Sequence, residues 1–263
     1  MPRHQQPWLQ RARTRLLSWR NAGSPASGLR SEDRCHRDYE CPQSQPTTAD
    51  MFDRNSDISK SLERAMWAWR DAMKPYGDEW GIIRLPGALP LQQHHVDGAR
   101  LYCHRNAYLE HLRKHAVCAE VGVWKGDFSA EILNRAGPKE LHLIDLDIDR
   151  FSLRERFAND PRVHLHQGHS ADVLRSFPAD HFDWIYIDAG HDYEAVKADA
   201  AASASRLRPD GILVFNDYIL WSHTEALPYG VVQAVNKMCV HDGWRVVAFC
   251  LHDSMYCDIA ITR

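Results

Sequence analysis

Asp188, His191, Asn216 and Asp217 have the types and spacing to handle protons or a hard cation. Asp188 closes the apolar run Trp184–Ile187, and His191 follows three residues later in a turn before a helical pattern. Open α/β sheets bind ligands just beyond the carboxyl ends of their strands, which is where both side chains fall. An imidazole there can act as a general base toward a hydroxyl, typically worth about 10²–10⁴ in rate; helix capping and packing are its structural alternatives. Phe215-Asn216-Asp217-Tyr218 ends the next apolar run. Asp188, Asn216 and Asp217 offer only oxygen donors, a set that suits magnesium rather than zinc. Such an ion would orient an acceptor hydroxyl and lower its pKa. Neighbouring residues of a strand face opposite ways, so Asn216 and Asp217 converge only if the chain turns between them.

A second constellation is Glu120-Val-Gly122-Val-Trp124-Lys-Gly126, at the end of the apolar run Ala116–Val121. Phe128, Ile132 and Leu133 follow on one helical face, and Gly137-Pro138 stops that pattern, so the stretch reads as strand, tight loop, helix. Glycines there let backbone approach a ligand closely. A dinucleotide would need the spacing G-x-G-x-x-G, with backbone free to reach a pyrophosphate. Here Trp124 replaces a close-approach glycine and Glu120 is negative. Both disfavour a diphosphate. S-adenosylmethionine, with its sulfonium and ammonium, is the better electrostatic match for an acid at the strand end.

The elements that position these residues alternate along the chain. Apolar runs at Leu141–Ile144, Val163–His166, Trp184–Ile187 and Ile212–Phe215 lack strict alternation, as strands covered on both faces do. Helical patterns lie between several of them, notably Tyr193, Val196, Ala200, Ala204 and Leu207, and Arg208-Pro-Asp-Gly211 marks a turn. A helix over 230–241 and two alternating strands, near Arg245–Phe249 and Met255–Ile261, close the chain. The expected fold is a doubly wound α/β domain, with a mostly parallel seven-stranded sheet and a C-terminal antiparallel hairpin.

Before this domain the character differs. Residues 1–31 hold six arginines and no acidic side chain, and the stretch to about Asp50 is rich in Gly, Ser, Pro and Gln. This composition predicts a disordered tail over 1–50, with an organelle transit peptide as the alternative. Cys35, His36 and Cys41 lie within it. Residues 51–115 read as a helical extension or substrate lid. Ile58, Leu62, Ala65, Met66, Trp69 and Met73 recur at helical spacing behind Ser56 or Asp57 as cap, and core packing is the simplest use for that stripe. A loop from Trp80 to Gly98 and a helix over 99–115 lead into residues 116–263, the cofactor-binding domain.

Composition narrows the class. The 263 residues are 44% hydrophobic, enough for a sizeable core, and carry a formal charge of −3, unlike a general nucleic-acid binder. Seven cysteines without a C-x-x-C pair suggest reduced thiols and a cytoplasmic setting. No apolar run reaches membrane-spanning length, so no membrane partner is expected.

Taken together, Glu120–Gly126, Leu141-His-Leu-Ile-Asp145, Tyr186-Ile-Asp-Ala-Gly-His-Asp-Tyr193, Arg208-Pro-Asp-Gly211 and the terminal hairpin resemble the class I S-adenosylmethionine-dependent methyltransferases. Within them the segment Glu120–Ile261 is similar to the small-molecule branch of the macrocin O-methyltransferase type. The resemblance implies that Glu120, Gly122 and Gly126 line the methionine part of the cofactor. It implies that Asp145 accepts hydrogen bonds from the ribose hydroxyls, with Asp147 and Asp149 as neighbouring alternatives. Gly168, Ser170 and Ala171 would border the adenine, and Asp188 would sit beside the cofactor. His191 would be the catalytic base, with magnesium on Asp188, Asn216 and Asp217, as in several similar O-methyltransferases. This sequence departs from both relevant patterns, since the macrocin type has an acidic pair where Asn216-Asp217 stands and the catechol type has Asp-Asn.

The expected activity is methyl transfer to a small molecule, most simply a sugar or phenolic hydroxyl. An amine-directed nucleobase methyltransferase would carry an Asn/Asp-Pro-Pro-aromatic run where this chain has Asp188-Ala-Gly-His191. Trp221, His223, Tyr229 and the loop from Trp80 to His95 are candidate walls of an acceptor pocket. A nicotinamide-dependent oxidoreductase and a non-catalytic subunit are the rival readings, and a homo-oligomer is left open.

Overall fold

The computed structural model describes residues 53–77, 87–150, 157 and 159–263. The expected tail over 1–50, with Cys35 and Cys41, and residues 80–86 of the Trp80–Gly98 loop lie outside them. The chain divides into two units, Met1–Trp67 and Ala68–Arg263. Helix α1 (Asp57–Met73) spans the division. Ser56 Oγ accepts the amide of Ser59 at 3.0 Å, the cap its sequence predicts. Met73 is buried, but Leu62 and Met66 are exposed.

The second unit is built on an eight-stranded sheet. Its strands are β1 (Arg100–Tyr102), β2 (Val117–Val121), β3 (Glu140–Asp145), β4 (Val163–Gln167), β5 (Phe182–Ile187), β6 (Leu207–Phe215), β9 (Arg245–Cys250) and β10 (Asp258–Thr262). They are ordered β1-β9-β10-β6-β5-β2-β3-β4, and a separate two-stranded ribbon pairs β7 (Trp221–Ser222) with β8 (Leu227–Pro228). The order reverses beside β2, so the crevice between the carboxyl ends of β2 and β5 is the switch point where such sheets bind ligands. Only β10 runs antiparallel, inserted between β6 and β9. This is the Rossmann-like methyltransferase arrangement expected from the sequence, with one strand more.

That extra strand, β1, falls in the segment expected to be helical over 99–115. Arg100–Tyr102 pairs in parallel with Ala248–Cys250 and covers what would otherwise be an open edge of β9. The helix that follows, α3 (Arg105–Leu109), is only five residues long. The expected turn at Arg208–Gly211 lies inside β6. Phe182 pairs with Leu207 and Trp184 with Ile212, so five steps on β6 oppose two on β5 and three residues bulge from the ladder.

Alternating side chains send two clusters to opposite faces. Ala119, Val121, Ile185, Ile187, Leu213 and Phe215 join one, against α6 (Tyr193–Ala204) and α7 (Val231–Asp242). Cys118, Leu143, Trp184, Tyr186 and Val214 join the other, with Leu109, Ile132 and Leu133. Both faces being covered explains the near-continuous apolar strands. Full burial of each leucine- or isoleucine-sized side chain is worth roughly 1.5–3 kcal/mol. The remaining helices, α2 (Gln93–Val96), α4 (Asp127–Glu131, continued as a wide π turn through Ala136) and α5 (Ser170–Ser176), are short.

Candidate active site

The loop after β2 forms as its glycines predict. Gly122 has φ of 87°, and a Cβ on it would lie 2.1 Å from the carbonyl oxygen of Asp188. Only glycine lets the ends of β2 and β5 come this close. Gly126, at φ of 82°, begins α4. Trp124 also takes a positive φ, 49°, a costly conformation for a bulky residue. Asp145 at the end of β3 holds the strained loop, its Oδ2 accepting the amides of Val123 at 2.8 Å and Trp124 at 3.0 Å. Its Oδ1 accepts the amide of Asp147.

Beside this loop lies a cavity of about 440 Å³, within the range of small-molecule sites. Gly122, Asp145, Gly168, Ser170, Ala171 and Asp188, all expected there, line it. Asp147 and Asp149 do not, so Asp145 is the acid at the cavity. Ser170 Oγ donates to Asp199 Oδ1 at 2.5 Å, and burial raises the Asp199 pKa against that bond. Trp124 and Asp199 line the cavity as well. Asp199 had no signal beyond its place in a helical pattern.

Glu120 and Gly126 are not in the lining. Glu120 is wholly buried, accepting from Ser129 Oγ at 2.5 Å, and burial pushes its pKa up to about 8 despite that bond. It is therefore mostly protonated at neutral pH. That value belongs to the site without a ligand, and a cation beside Glu120 would lower it again. A charge buried without a cation is costly, so the group neutralises instead.

The other strand ends form a compact polar cluster. Asp192, not His191, caps α6, accepting from the amides of Glu194 and Ala195. The His191 ring stacks on Tyr229 at 4.5 Å and 7°. Its Nε2 lies 3.4 Å from Asp217 Oδ2 and 3.7 Å from Asp188 Oδ1, in ion-pair range but without an aligned hydrogen bond. Burial opposes its charge, but Asp188, Asp217 and Glu225 outweigh it and hold the pKa above the ordinary 6.5. Asp217 has φ of 55°, so the chain does turn after Asn216. Burial raises the Asp217 pKa to about 6, with His191 pulling the other way.

The magnesium set does not assemble as expected. Asn216 Nδ2 donates to Asp188 Oδ1 at 2.8 Å, which turns an amide nitrogen, not an oxygen, toward the carboxylate. The Arg105 guanidinium donates to Asn216 Oδ1 at 3.2 Å and lies 3.7 Å from Asp188 Oδ2. Among the described residues no three His, Cys, Asp or Glu side chains form a group fit for a metal ion. Asp188, Asn216 and Asp217 thus do not fit magnesium in this arrangement, because the Arg105 guanidinium already engages Asp188 and Asn216.

Arg105 also reaches Tyr186 Oη at 3.4 Å and packs over the Phe128 ring at 4.1 Å. Tyr186 in turn donates to buried Asp258, whose pKa burial raises to about 7 against Arg105 and Tyr186. Nothing in the sequence brought Arg105 or Asp258 to this site, since each lies on an element that reaches it only through the sheet order. Of the candidate acceptor walls, Tyr229 meets His191, Trp221 lies in β7, and His223 packs on Tyr256.

Comparison with known proteins agrees with this geometry. A family model described as a methyltransferase domain matches residues 119–218, the stretch from β2 to the turn after β6. That match identifies a methyltransferase domain within the doubly wound sheet, and S-adenosylmethionine is the cofactor it implies. The cavity fits that cofactor: small and apolar side chains such as Ala171, Ala198 and Ile144 flank an acid, Asp145, whose Oδ1 keeps acceptor capacity for a hydroxyl donor. Similar solved structures include cofactor-bound Rv0187 from MTB, at 17% identity and TM-score 0.49, with 82% of this chain and 97% of that one covered. The O-methyltransferase TomG from Streptomyces achromogenes, in complex with SAM, is 18% identical at TM-score 0.47, with 60% and 78% covered. Spermidine synthase from Thermotoga maritima is 16% identical at TM-score 0.43, with 60% of this chain covered; the chain spans 59% of that protein's length. No curated protein matches in sequence.

Proposed function

We propose that this methyltransferase acts on the hydroxyl of a small molecule, such as a sugar or phenol, with His191 as the general base. The observation that carries this reading is the buried Nε2 of His191, unpartnered yet held near Asp188 and Asp217 beside the cofactor cavity. When bound, S-adenosylmethionine supplies a methyl group on a sulfonium, open to displacement by a nucleophile held in line. Asp188 belongs to both the cavity and the polar cluster, so cofactor and proton acceptor share one strand end. Tyr229 fixes the imidazole plane. The two carboxylates favour the imidazolium formed when His191 takes the hydroxyl proton. No charge or motif favours nucleic acid or membrane as partner. Among the described residues no helix is long and apolar enough to cross a membrane.

The test has two arms. Calorimetry with S-adenosylhomocysteine should give a saturable heat, and no binding up to roughly millimolar ligand would remove the cofactor half. A screen of hydroxyl, amine and nucleic-acid acceptors with methyl-labelled cofactor addresses the rest. Label appearing only on amines or RNA would replace the acceptor class proposed here.

A further inference from the structure

We propose that Arg105 is this enzyme's substitute for a divalent ion: its guanidinium holds Asp188 and Asn216 at the strand ends, so methyl transfer here needs no bound metal. The inference rests on the methyltransferase reading and deepens it by assigning the cation of the acceptor side. Four contacts converge on this one group. It donates to Asn216 Oδ1 at 3.2 Å and to Tyr186 Oη at 3.4 Å, and it lies 3.7 Å from Asp188 Oδ2 and 4.1 Å from the centre of the Phe128 ring. A planar, permanently charged fork stacked on an aromatic face is pre-organised in a way a hydrated ammonium is not. It is also largely buried, with side-chain exposure of 28%.

The amide of Asn216 records the same choice. A metal would need the Asn216 oxygen and Asp188 turned toward a common point. Instead the amide oxygen accepts from Arg105 while the amide nitrogen donates to Asp188. A chain Arg105–Asn216–Asp188 results, in which each hydrogen-bonding atom is used in the sense its chemistry allows. The order Asn216-Asp217 gives an amide rather than a carboxylate to the guanidinium. Arg105 is thus a positioning residue, acting on Asp188 and through it on the His191 pair.

Mn²⁺ binding to the full-length protein, followed by electron paramagnetic resonance, separates the two possibilities without relying on turnover. The wild-type protein should leave the free Mn²⁺ signal unchanged. Arg105→Ala, which leaves Asp188 without its guanidinium partner, should bind Mn²⁺. Adding Asp188→Asn should abolish that binding, and Arg105→Lys should again exclude the ion. Wild-type binding that Asp188→Asn removes overturns the proposal, and this arm needs no variant of Arg105 to fold. Failure of folded Arg105→Ala to bind Mn²⁺ also overturns it. In the activity arm, chelation should change wild-type turnover by less than about twofold, against the large loss expected where a metal activates the hydroxyl. S-adenosylhomocysteine affinity, measured on the same samples, shows whether a failure belongs to Arg105 or to the methyltransferase reading itself.

Discussion

Two acidic clusters lie at opposite ends of β5, each with a buried aspartate (Asp183 and Asp258), and they have been given opposite chemistry. Near the start of the strand, Asp183 accepts from Arg113 at 2.6 Å, from Arg208 at 2.7 Å and from the amide of Val117 at 2.8 Å. Burial alone would raise its pKa, but these donors hold it below the ordinary 3.8. Beyond the end of the strand, Asp188, Asp217 and Asp258 share Arg105 and His191. There Asp217 rises to about 6 and Asp258 to about 7, both through burial. Donor supply separates the two: Asp183 has three close donors, whereas Asp217 and Asp258 have fewer to offset their burial. A saturated carboxylate anchors the fold, whereas groups left short of donors titrate near neutrality, where proton transfer takes place.

The largest effect should come from breaking the undersupplied end. His191→Gln should lower kcat by about 10²–10⁴, while the affinity for S-adenosylhomocysteine stays near wild type in calorimetry. In the wild-type protein kcat/KM should rise with pH through a value above 6.5, because the base must be unprotonated and its neighbours raise its pKa. A variant that keeps full turnover would make both ends of β5 structural, and the contrast between them would collapse.

Asp183→Ala tests the opposite end. Removing the acid strands the Val117 amide and frees two half-exposed arginines, so we expect a loss of about 3 kcal/mol in urea unfolding. Cofactor affinity and kcat of the folded protein should not move. If turnover falls as far as stability does, the two clusters are coupled and the division of labour is wrong.

The pH dependence of stability sharpens the comparison because the two ends have opposite signs. Asp183 is depressed, so its contribution is present above the unfolded value near 3.8 and lost as pH falls through its folded value. Asp258 is raised from 3.8 to about 7. Its contribution is full below about 3.8 and is lost as pH climbs toward 7. Asp258→Asn should flatten the decline between those limits by roughly 2–4 kcal/mol, read from thermal or urea midpoints across pH. An unchanged slope would mean that Asp258 titrates alike in the folded and unfolded chain.

How much of this was legible in the sequence follows the range of the interactions. The parallel strands could be read from unbroken apolar runs such as Trp184–Ile187, because burial on both faces is written locally. Gly122 and Gly126 announced the loop, and Asp145, Ser170 and Asp188 could be placed at the cavity because each ends or follows a strand. Glu120 could not, since its neutral state depends on Ser129 and on complete burial. Arg105 sits 83 residues before Asp188, and β1, two residues before α3, adds in parallel to the far strand β9. Non-local pairing of that kind leaves no periodicity to read. The same holds for Asp183, whose role depends on arginines at 113 and 208.

The smallest predicted effect is also the finest probe of saturation. Arg208 gives one of three donors to Asp183, and its Nε reaches the exposed carbonyl of Asp180 at 3.2 Å. Its side chain is 39% exposed, so water screens the pair and can replace it. Arg208→Ala leaves Asp183 with Arg113 and the Val117 amide, enough to keep the carboxylate ionised. The loss should therefore be about 1 kcal/mol, well short of that for Asp183→Ala, and the two substitutions together should cost no more than Asp183→Ala alone. A double-mutant cycle in urea reads this directly. Full additivity would mean that Arg208 acts elsewhere, and that Asp183 owes its low pKa to Arg113 and the backbone.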